Sequence, residues 1–330
     1  MKITVLSGGP GDEREISLIS GESVATGLRD SGHDVFVSDI GPDDLSALDR
    51  PADVIFPVLH GQFGESGELQ QEMEARDLVF VGSGSAASRL GMNKALTKQR
   101  WSEAGLTSPQ GLLLTPGNRG AIDSFPLPCI VKPVDSGSSV GVHRCLTRDE
   151  ARLAVAELIA QRGSALVERF ITGTELTVGI FEDRALPPLG ERSTPGAGRA
   201  GGISEAPPLP PIRIVTDHEI FDFEAKYRSN STAHLFDTGL PESTLARCLK
   251  DATRAYHLIG CVDLARVDMI VDSSGTPWLL EINTMPGFTP KSLLPEAAGK
   301  TGVGFAQVVD RLVKRAHARG MAGRSFGKAV

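Results

Sequence analysis

The sequence has few of the features that mark secreted, membrane-embedded or nucleic-acid-binding proteins. It contains 4 cysteines, and the two closest in sequence, Cys248 and Cys261, are too far apart for a zinc motif, so we expect buried thiols in a reducing compartment. No apolar run reaches the length of a membrane span, and the N-terminus has the pattern of a strand rather than a signal peptide. The formal net charge of −7 argues against a general nucleic-acid binder. We therefore expect a cytoplasmic protein without a membrane or nucleic-acid partner.

The composition is that of an ordinary globular protein. Hydrophobic residues make up 40% of the 330 positions and charged residues 23%, which suffices for a large core in two or three domains. Near the N-terminus, apolar runs such as 2–6 and 53–59 alternate with helical segments, which is the pattern of an open parallel α/β sheet. The helix predicted over Asp12–Arg29 has Ile16 and Ile19 on its apolar side.

Two apolar runs flank Asp272–Thr276, which has the composition of a turn, and they predict a β-hairpin. Side chains alternate along a strand, so Arg266 and Asp268 share one face of the first arm. Glu281 and Asn283 share one face of the second arm, and folding at the turn sets Asp268 opposite Glu281. If the two faces coincide, two carboxylates, an amide and a guanidinium converge.

The ligands that this hairpin offers are all oxygens, without His or Cys, which suits Mg²⁺ far better than Zn²⁺. A magnesium ion held by few carboxylates usually takes nucleotide phosphates as its remaining ligands. The alternative is an exposed hairpin with solvated charges. Charge at alternate positions on both arms favours the metal site, because unpaired buried charge is expensive.

A second signal for phosphate follows the strand that ends at Lys132. The next segment, Asp135–Gly141, is a small-residue loop in which Ser138 and Ser139 add hydroxyls to the backbone N–H groups, a composition suited to phosphate oxygens. The alternative is an ordinary hairpin loop, and the adjacent lysine favours phosphate. The strand over 165–171 combines one acid with apolar residues and could receive an adenine.

Other segments predict local structure without deciding function. His60–Gly67 is predicted to be a glycine-rich loop beyond a strand, and Glu15 begins a helix, where its local role could be to compensate the helix dipole. Met92–Lys94 opens a helix in which Lys98 is expected to be solvated. Ser229–Gly239 is predicted to be a polar loop that could cover a site.

Five segments follow one another at compatible spacing: Glu13–Ser17, His60–Gly67, Ile130–Gly141, Glu224–Tyr227 and Arg266–Gly287. Each alone is a weak signal, but all five in order are highly specific. Together they resemble the D-alanine–D-alanine ligase family of the ATP-grasp superfamily, and the resemblance runs from Met1 to about residue 313.

The resemblance implies an α/β protein with an ATP-grasp fold, an N-terminal open parallel α/β domain and an α+β C-terminal half. The implied domains are a substrate-side domain over 1–86, a small central domain over 87–163, and a C-terminal domain with metal site and lid over 164–330. A homodimer is also implied. In the implied reaction, which serves peptidoglycan precursor synthesis, the carboxylate of one D-alanine attacks the γ-phosphate of ATP. The amine of a second D-alanine then attacks the acyl phosphate.

The resemblance also implies roles for individual residues. Catalysis and binding of the first D-alanine would involve Glu15, Ser138, Tyr227 and Arg266, with His60 near the reacting centre. ATP would be bound by Lys94, Lys132, Ser139, Glu168, Phe170, Ile171, Glu175 and Lys226. Two Mg²⁺ ions, replaceable by Mn²⁺, would be held by Asp268, Glu281 and Asn283. The carboxylate of the second D-alanine would be received by Ser292 and Leu293.

Some alternatives stay open. Met285 and Lys291 differ from the residues common in the family, and Lys291 adjoins the acceptor position, so a ligase for another amino acid or acceptor is the runner-up. Tyr227 is typical of dipeptide-forming members and favours D-alanine over D-lactate. The Pro/Gly-rich segment 187–211 is longer than in compact relatives. A regulatory protein without turnover would show damage among the site residues, and none is visible in the sequence. A dinucleotide-dependent oxidoreductase would need a glycine spacing that the first loop lacks.

Overall fold

The computed structural model describes residues 1–137, 140–182, 207–216 and 232–323. Within these ranges the chain forms one parallel sheet, two antiparallel sheets and the helices that pack on them. The strands in these ranges are β1 Lys2–Gly8, β2 Asp34–Ile40, β3 Val54–Pro57, β4 Gly111–Leu114, β5 Cys129–Lys132, β6 His143–Cys145, β7 Ala165–Arg169, β8 Thr174–Phe181, β9 Ile212–Val215, β10 Ala233–Leu235, β11 Leu264–Val271 and β12 Pro277–Asn283. The α-helices are α1 Arg14–Asp30, α2 Gly61–Glu65, α3 Glu68–Ala75, α4 Ser85–Met92, α5 Lys94–Glu103, α6 Arg148–Arg162, α7 Glu242–Ile259, α8 Leu293–Lys300 and α9 Phe305–Met321. None of these helices has the length and apolar character that crossing a membrane requires.

The N-terminal strands form the predicted parallel sheet, in the order β2-β1-β3. All four residues of β3 are buried, as expected for a parallel strand covered on both faces. Helices α1 and α9 pack against each other beside this sheet, and their apolar residues belong to the same core as those of β1 and β3. The C-terminal helix therefore completes the core that the first strands begin.

Helix α1 has apolar side chains on two sides, one facing the core and the other facing a cavity. Val24 and Leu28 are buried in the core, as the periodicity predicts. Ile16 and Ile19, which were predicted on the apolar side of this helix, are not core residues, because Ile19 is 50% exposed and both side chains line a cavity. Apolar residues that face a cleft and those that face the core give the same sequence pattern.

The other two sheets are antiparallel. One has the order β4-β7-β5-β6 and the other the order β10-β9-β8-β11-β12. Strand β10, over Ala233–Leu235, pairs with β9, so the prediction of a polar loop over Ser229–Gly239 is wrong for this part. Residues 229–231 of that segment lie outside the described residues, as do residues 187–206 of the predicted Pro/Gly-rich loop.

A buried ionic cluster joins the N-terminal sheet, the start of β11 and helix α9. Asp263 is fully buried, and its carboxylate accepts hydrogen bonds from Gly82 N at 2.9 Å, Arg319 Nη1 at 2.6 Å and Arg315 Nε at 3.0 Å. Arg319 also donates to the carbonyl of Phe80. Because these contacts connect distant parts of the chain, they fix α9 against the loop that follows Phe80.

Two further predictions meet different outcomes. The expectation of buried thiols is confirmed for all four cysteines, which are buried and free; Cys129 and Cys145 are cross-strand partners in β5 and β6. The loop predicted over His60–Gly67 is wrong in part, because α2 forms within it. The short length of α2 explains why no periodicity revealed it.

Candidate active site

The β11–β12 hairpin has the register that the sequence predicts. Arg266 pairs with Asn283 and Asp268 with Glu281, and a bulge follows Asp268. The two carboxylates and the amide therefore lie on one face of neighbouring strands. A bulge at this point is consistent with a functional site, because bulges re-aim side chains next to active sites.

Asp268 is held by two neighbours in this structure. Arg266 binds it with both arms of the guanidinium, Nε to Oδ1 and Nη2 to Oδ2, each at 2.9 Å. The hydroxyl of Thr177, from the adjacent strand β8, donates to Oδ1 at 2.5 Å. Because Arg266 is only 9% exposed, this bidentate contact orients both groups firmly.

Glu281 faces a lysine from helix α5. Its Oε2 lies 3.4 Å from Lys94 Nζ, and the same ammonium donates to the carbonyl of Ser136 at 2.6 Å. Lys94 is therefore placed between the acidic hairpin and the small-residue loop after β5. Asn283 accepts from Met285 N at 2.8 Å and donates to Glu65 Oε1 at 3.4 Å.

A cavity of about 380 Å³ lies on one side of this cluster. Its wall contains hairpin residues Arg266, Glu281 and Asn283, and the residues around the start of α8 and the N-terminal sheet complete it. Those residues include Glu13, Ile16, Ile19, Glu65, Gly287, Thr289, Lys291, Ser292 and Leu293. The cavity is thus charged at the hairpin and apolar at α1, which suits small zwitterions with an alkyl side chain.

A second cavity, of about 150 Å³, lies between the two antiparallel sheets. Apolar side chains line it from both sides, Ile130 from one sheet and Ile270 and Leu280 from the other. The predicted ATP-binding residues that line it are Lys94, Lys132, Glu168, Phe170, Ile171 and Glu175. An apolar slot with a carboxylate and ammonium groups at its edge fits a planar base carrying phosphates.

The two cavities share a wall. Lys94, Ser136 and Glu281 line both of them. A group held in the first cavity and a phosphate held in the second would therefore meet at Lys94 and Glu281. This is the arrangement that transfer of a phosphoryl group between two bound molecules needs, because such chemistry depends chiefly on positioning and charge neutralisation.

Lys98 is a site residue that the sequence interpretation missed. It was expected to be solvated, yet it is only 8% exposed and its Nζ lies 2.6 Å from Glu168 Oε1. Burial lowers the pKa of Lys98 to about 8, although the carboxylate of Glu168 opposes this change. A signal was available, because Lys98 lies one helical turn after Lys94 and therefore shares its face of α5.

Neither of the predicted binding residues from the N-terminal part, His60 and Glu15, lines the first cavity, although residues near both of them in the sequence do. His60 is buried, with Nδ1 at 3.6 Å from Glu65 Oε1. Glu15 is exposed in the first turn of α1, and Glu13, two residues earlier, lines the cavity. The small-residue loop also reaches this region, because a Cβ on Gly137 would lie 3.3 Å from Glu65 Oε2.

The loop that leads into α8 is ordered by its own hydroxyls. Ser292 precedes the first residue of α8, and its Oγ accepts from Thr289 N at 2.9 Å. Leu293 begins the helix, and Lys291 lies beside them on the cavity wall. The first turn of α8 thus presents backbone N–H groups and a hydroxyl, which favour an anionic group.

Four predicted site residues, Ser138, Ser139, Lys226 and Tyr227, lie outside the described residues, so their roles stay predictions. Within the described ranges, no three Asp, Glu, His or Cys side chains cluster as a metal site. The predicted magnesium ligands are a different kind of set, because they comprise two carboxylates and one amide that leave positions for phosphate oxygens. Asp268 and Glu281, opposite each other on the hairpin, fit that requirement.

Two antiparallel sheets that close on a slot, with an acidic hairpin and lysines at its edge, define an ATP-grasp protein. A family model described as D-ala D-ala ligase C-terminus matches residues 117–194 and 203–314. A D-alanine–D-alanine ligase of Gluconobacter oxydans is 38% identical over 324 residues, covering 97% of this chain and 100% of the relative. The chain belongs to the D-alanine–D-alanine ligase family.

Solved structures agree with this fold. The crystal structure of the D-alanine–D-alanine ligase from Bacillus anthracis complexed with ATP has a TM-score of 0.80 and 25% identity, covering 98% of this chain and 100% of that one. A D-Ala:D-Ser ligase from Enterococcus faecalis has a TM-score of 0.79 at 24% identity, covering 96% and 99%. Since relatives with different acceptors share the fold, the fold alone does not select the acceptor.

Proposed function

We propose that this protein joins two D-alanines into D-alanyl-D-alanine for peptidoglycan precursor synthesis, converting ATP to ADP and phosphate. The observation that supports this most strongly is the common wall of the two cavities, formed by Lys94, Ser136 and Glu281. It gives a place where the carboxylate of a small substrate can meet the terminal phosphate of a nucleotide.

The second cavity is proposed to hold ATP. The adenine would lie in the slot flanked by Ile130, Ile270 and Leu280, with its amino group near Glu168. Glu175 would bind the ribose hydroxyls, and Phe170 and Ile171 would contact the edge of the base. Lys94 and Lys132, together with Lys226 and Ser139, would neutralise and bind the phosphates, which otherwise repel an attacking carboxylate.

Asp268, Glu281 and Asn283 are proposed to hold two Mg²⁺ ions, which Mn²⁺ can replace. When bound, these ions would neutralise phosphate charge and orient the phosphates. The residues fit this role, because they offer oxygen ligands on one face of the hairpin. Magnesium is usually bound by only one or two carboxylates, and phosphate oxygens complete its coordination. Arg266 and Lys94, which now pair with Asp268 and Glu281, would be available to substrate groups once the metal ions take the carboxylates.

The first cavity is proposed to hold both D-alanines. Glu15, linked through Ser138 to Tyr227, would bind the ammonium of the first, and Arg266 would face the oxyanion that forms on its carboxyl carbon. His60, which contacts Glu65, would lie near the reacting centre. The second D-alanine would direct its carboxylate to Ser292 and Leu293, whose backbone begins α8. Its amine, once unprotonated, attacks the acyl phosphate, and phosphate then leaves.

Several attributes complete the proposal. The domains are proposed to span 1–86, 87–163 and 164–330. The protein is proposed to be cytoplasmic, where ATP and the free amino acids occur together, and to form a homodimer. No nucleic acid or membrane takes part in the proposed reaction.

The test is phosphate release with ATP, Mg²⁺ and a panel of D- and L-amino acids, with the product identified by its mass. We expect release that depends on D-alanine and a product of the mass of D-alanyl-D-alanine. Release with a different amino acid, or a mixed product, would establish the runner-up ligase, in which Lys291 on the cavity wall selects another acceptor.

A further inference from the structure

A carboxylate that lines the second cavity lies between two lysines. Glu168 is 2% exposed, and its two oxygens face different cations: Oε1 lies 2.6 Å from Lys98 Nζ, and Oε2 lies 2.8 Å from Lys132 Nζ. Both lysines are also buried. We call these three residues the ion triad.

The fold builds the ion triad from three separate elements. Glu168 lies on β7 between β4 and β5, and Gly111, its partner on β4, leaves the space that its side chain uses, because a Cβ there would lie 3.2 Å from Glu168 Cγ. Lys132 ends β5, and Lys98 comes from α5. Burial alone would raise the pKa of the Glu168 carboxyl, but the ammonium groups of Lys132 and Lys98 outweigh it and lower that pKa.

The two lysines differ in what else they can contact. Lys132 lines the second cavity together with Glu168, so it can turn towards a bound phosphate. Lys98 is not needed there, since its neighbour Lys94, one turn earlier on α5, already faces the common wall of both cavities. The contact that remains for Lys98 when a nucleotide is bound is Glu168.

We propose that Lys98 is a positioning residue for nucleotide recognition: it keeps Glu168 ionised and aimed at the purine, and so frees Lys132 for the phosphates. This inference rests on the proposed function, in which Glu168 accepts a hydrogen bond from the 6-amino group of adenine. Oε1 stays with Lys98, and Oε2, released by Lys132, faces the amino group. An ionised carboxylate accepts from an amino group but repels the 6-oxo group of inosine, so Lys98 enforces adenine over hypoxanthine.

Removing the charge of Lys98 has two consequences, and both weaken selection for ATP. In the first case Glu168 has only Lys132 as a counterion, and Lys132 then stays on Oε2. That oxygen is no longer open to the amino group of adenine, and Lys132 is also lost to the phosphates of either nucleotide. In the second case the Glu168 carboxyl binds a proton and can donate a hydrogen bond to the 6-oxo group of inosine triphosphate. Either way the preference for ATP falls, since buried polar groups discriminate strongly only when their protonation state is fixed.

The experiment compares Lys98→Met and Lys98→Arg with the parent protein, using ATP and inosine triphosphate as alternative substrates and D-alanine at saturation. Lys250→Met, which removes an exposed lysine on α7, is the matched control. For Lys98→Met we expect the KM for ATP to rise about tenfold or more, with a smaller change in kcat. The ratio of kcat/KM for ATP over inosine triphosphate should fall by about the same factor. Lys98→Arg should restore most of this ratio, and Lys250→Met should leave it unchanged.

The ratio is measured within one preparation, so partial unfolding of a variant cancels from it. A parent-like ratio in Lys98→Met, or an equal loss with both nucleotides, overturns the proposal and leaves Lys98 a purely structural residue. If the parent protein itself shows no ATP-dependent ligation of D-alanine, the proposed function fails instead, and the two failures are therefore distinguishable.

Discussion

Replacing Glu281 by glutamine should remove most of the turnover without unfolding the protein. The substitution changes one oxygen to an NH2 group, so the shape of the hairpin is kept. It removes a negative charge at the position that lines both cavities and lies opposite Asp268. Loss of one preorganised electrostatic contact of this kind costs about 3–4 kcal/mol in the transition state, so kcat should fall by about 10²–10³.

The cost in stability should be much smaller. Glu281 lies 3.4 Å from Lys94 Nζ and its side chain is 26% exposed. Lys94 keeps its 2.6 Å hydrogen bond to the carbonyl of Ser136, so its charge is not left without a partner. A partly exposed pair of this kind contributes about 0.2–1 kcal/mol, and the free energy of unfolding should fall by no more than that.

The assay is D-alanine-dependent phosphate release at saturating ATP, repeated over a range of Mg²⁺ concentrations, with denaturant unfolding measured on the same samples. Glu157→Gln, on the exposed side of α6, makes the same chemical change away from the site and should retain parent activity. The reasoning is refuted if Glu281→Gln keeps kcat within about threefold of the parent, because a residue that holds metal and phosphate cannot be neutralised at so little cost.

Three further predictions concern pH, the acceptor and a helix cap. The pKa of Lys98 is about 8 instead of 10.5, so Lys98 loses its proton as the pH rises through about 8. The KM for ATP should rise over this pH range. Lys98→Arg, in which the side chain stays charged, should abolish this rise. Ser292→Ala removes the hydroxyl that orders the loop before α8 and should raise the KM for the acceptor D-alanine about tenfold while leaving that for ATP unchanged; an equal rise in both would contradict the acceptor assignment. Thr147→Ala breaks the capping box with Glu150 at the start of α6 and should lower the free energy of unfolding by about 1 kcal/mol, whereas no loss in denaturant unfolding would mean that the cap does not stabilise this helix.

The sequence was sufficient for the family, the fold class and the register of the hairpin. The register followed because side chains alternate along a strand and the turn at Asp272–Thr276 left one way to pair Asp268 with Glu281. The parallel N-terminal sheet followed from alternating apolar runs in the same way.

The errors share one physical origin, which is that burial depends on contacts between distant parts of the chain. Lys98 was predicted to be an exposed helical lysine. Its place one turn after Lys94 indicated the face of α5 on which it lies, but its contact with Glu168 of β7 is visible only in the folded chain. Ile19 has the pattern of a core residue but faces a cleft. No local pattern could have shown that the two cavities share Lys94 and Glu281, because that contact joins α5, the hairpin and the loop after β5.

The most direct measurement of the central claim follows the oxygen atoms of the substrate. D-alanine carrying a heavy-oxygen label in its carboxylate is incubated with the protein, ATP and Mg²⁺, and the released phosphate is analysed by mass. Activation of the carboxylate beside Lys94 and Glu281 predicts that each phosphate carries one labelled oxygen, formed as the acyl phosphate breaks down. Phosphate without label, released in step with the dipeptide, would contradict the account.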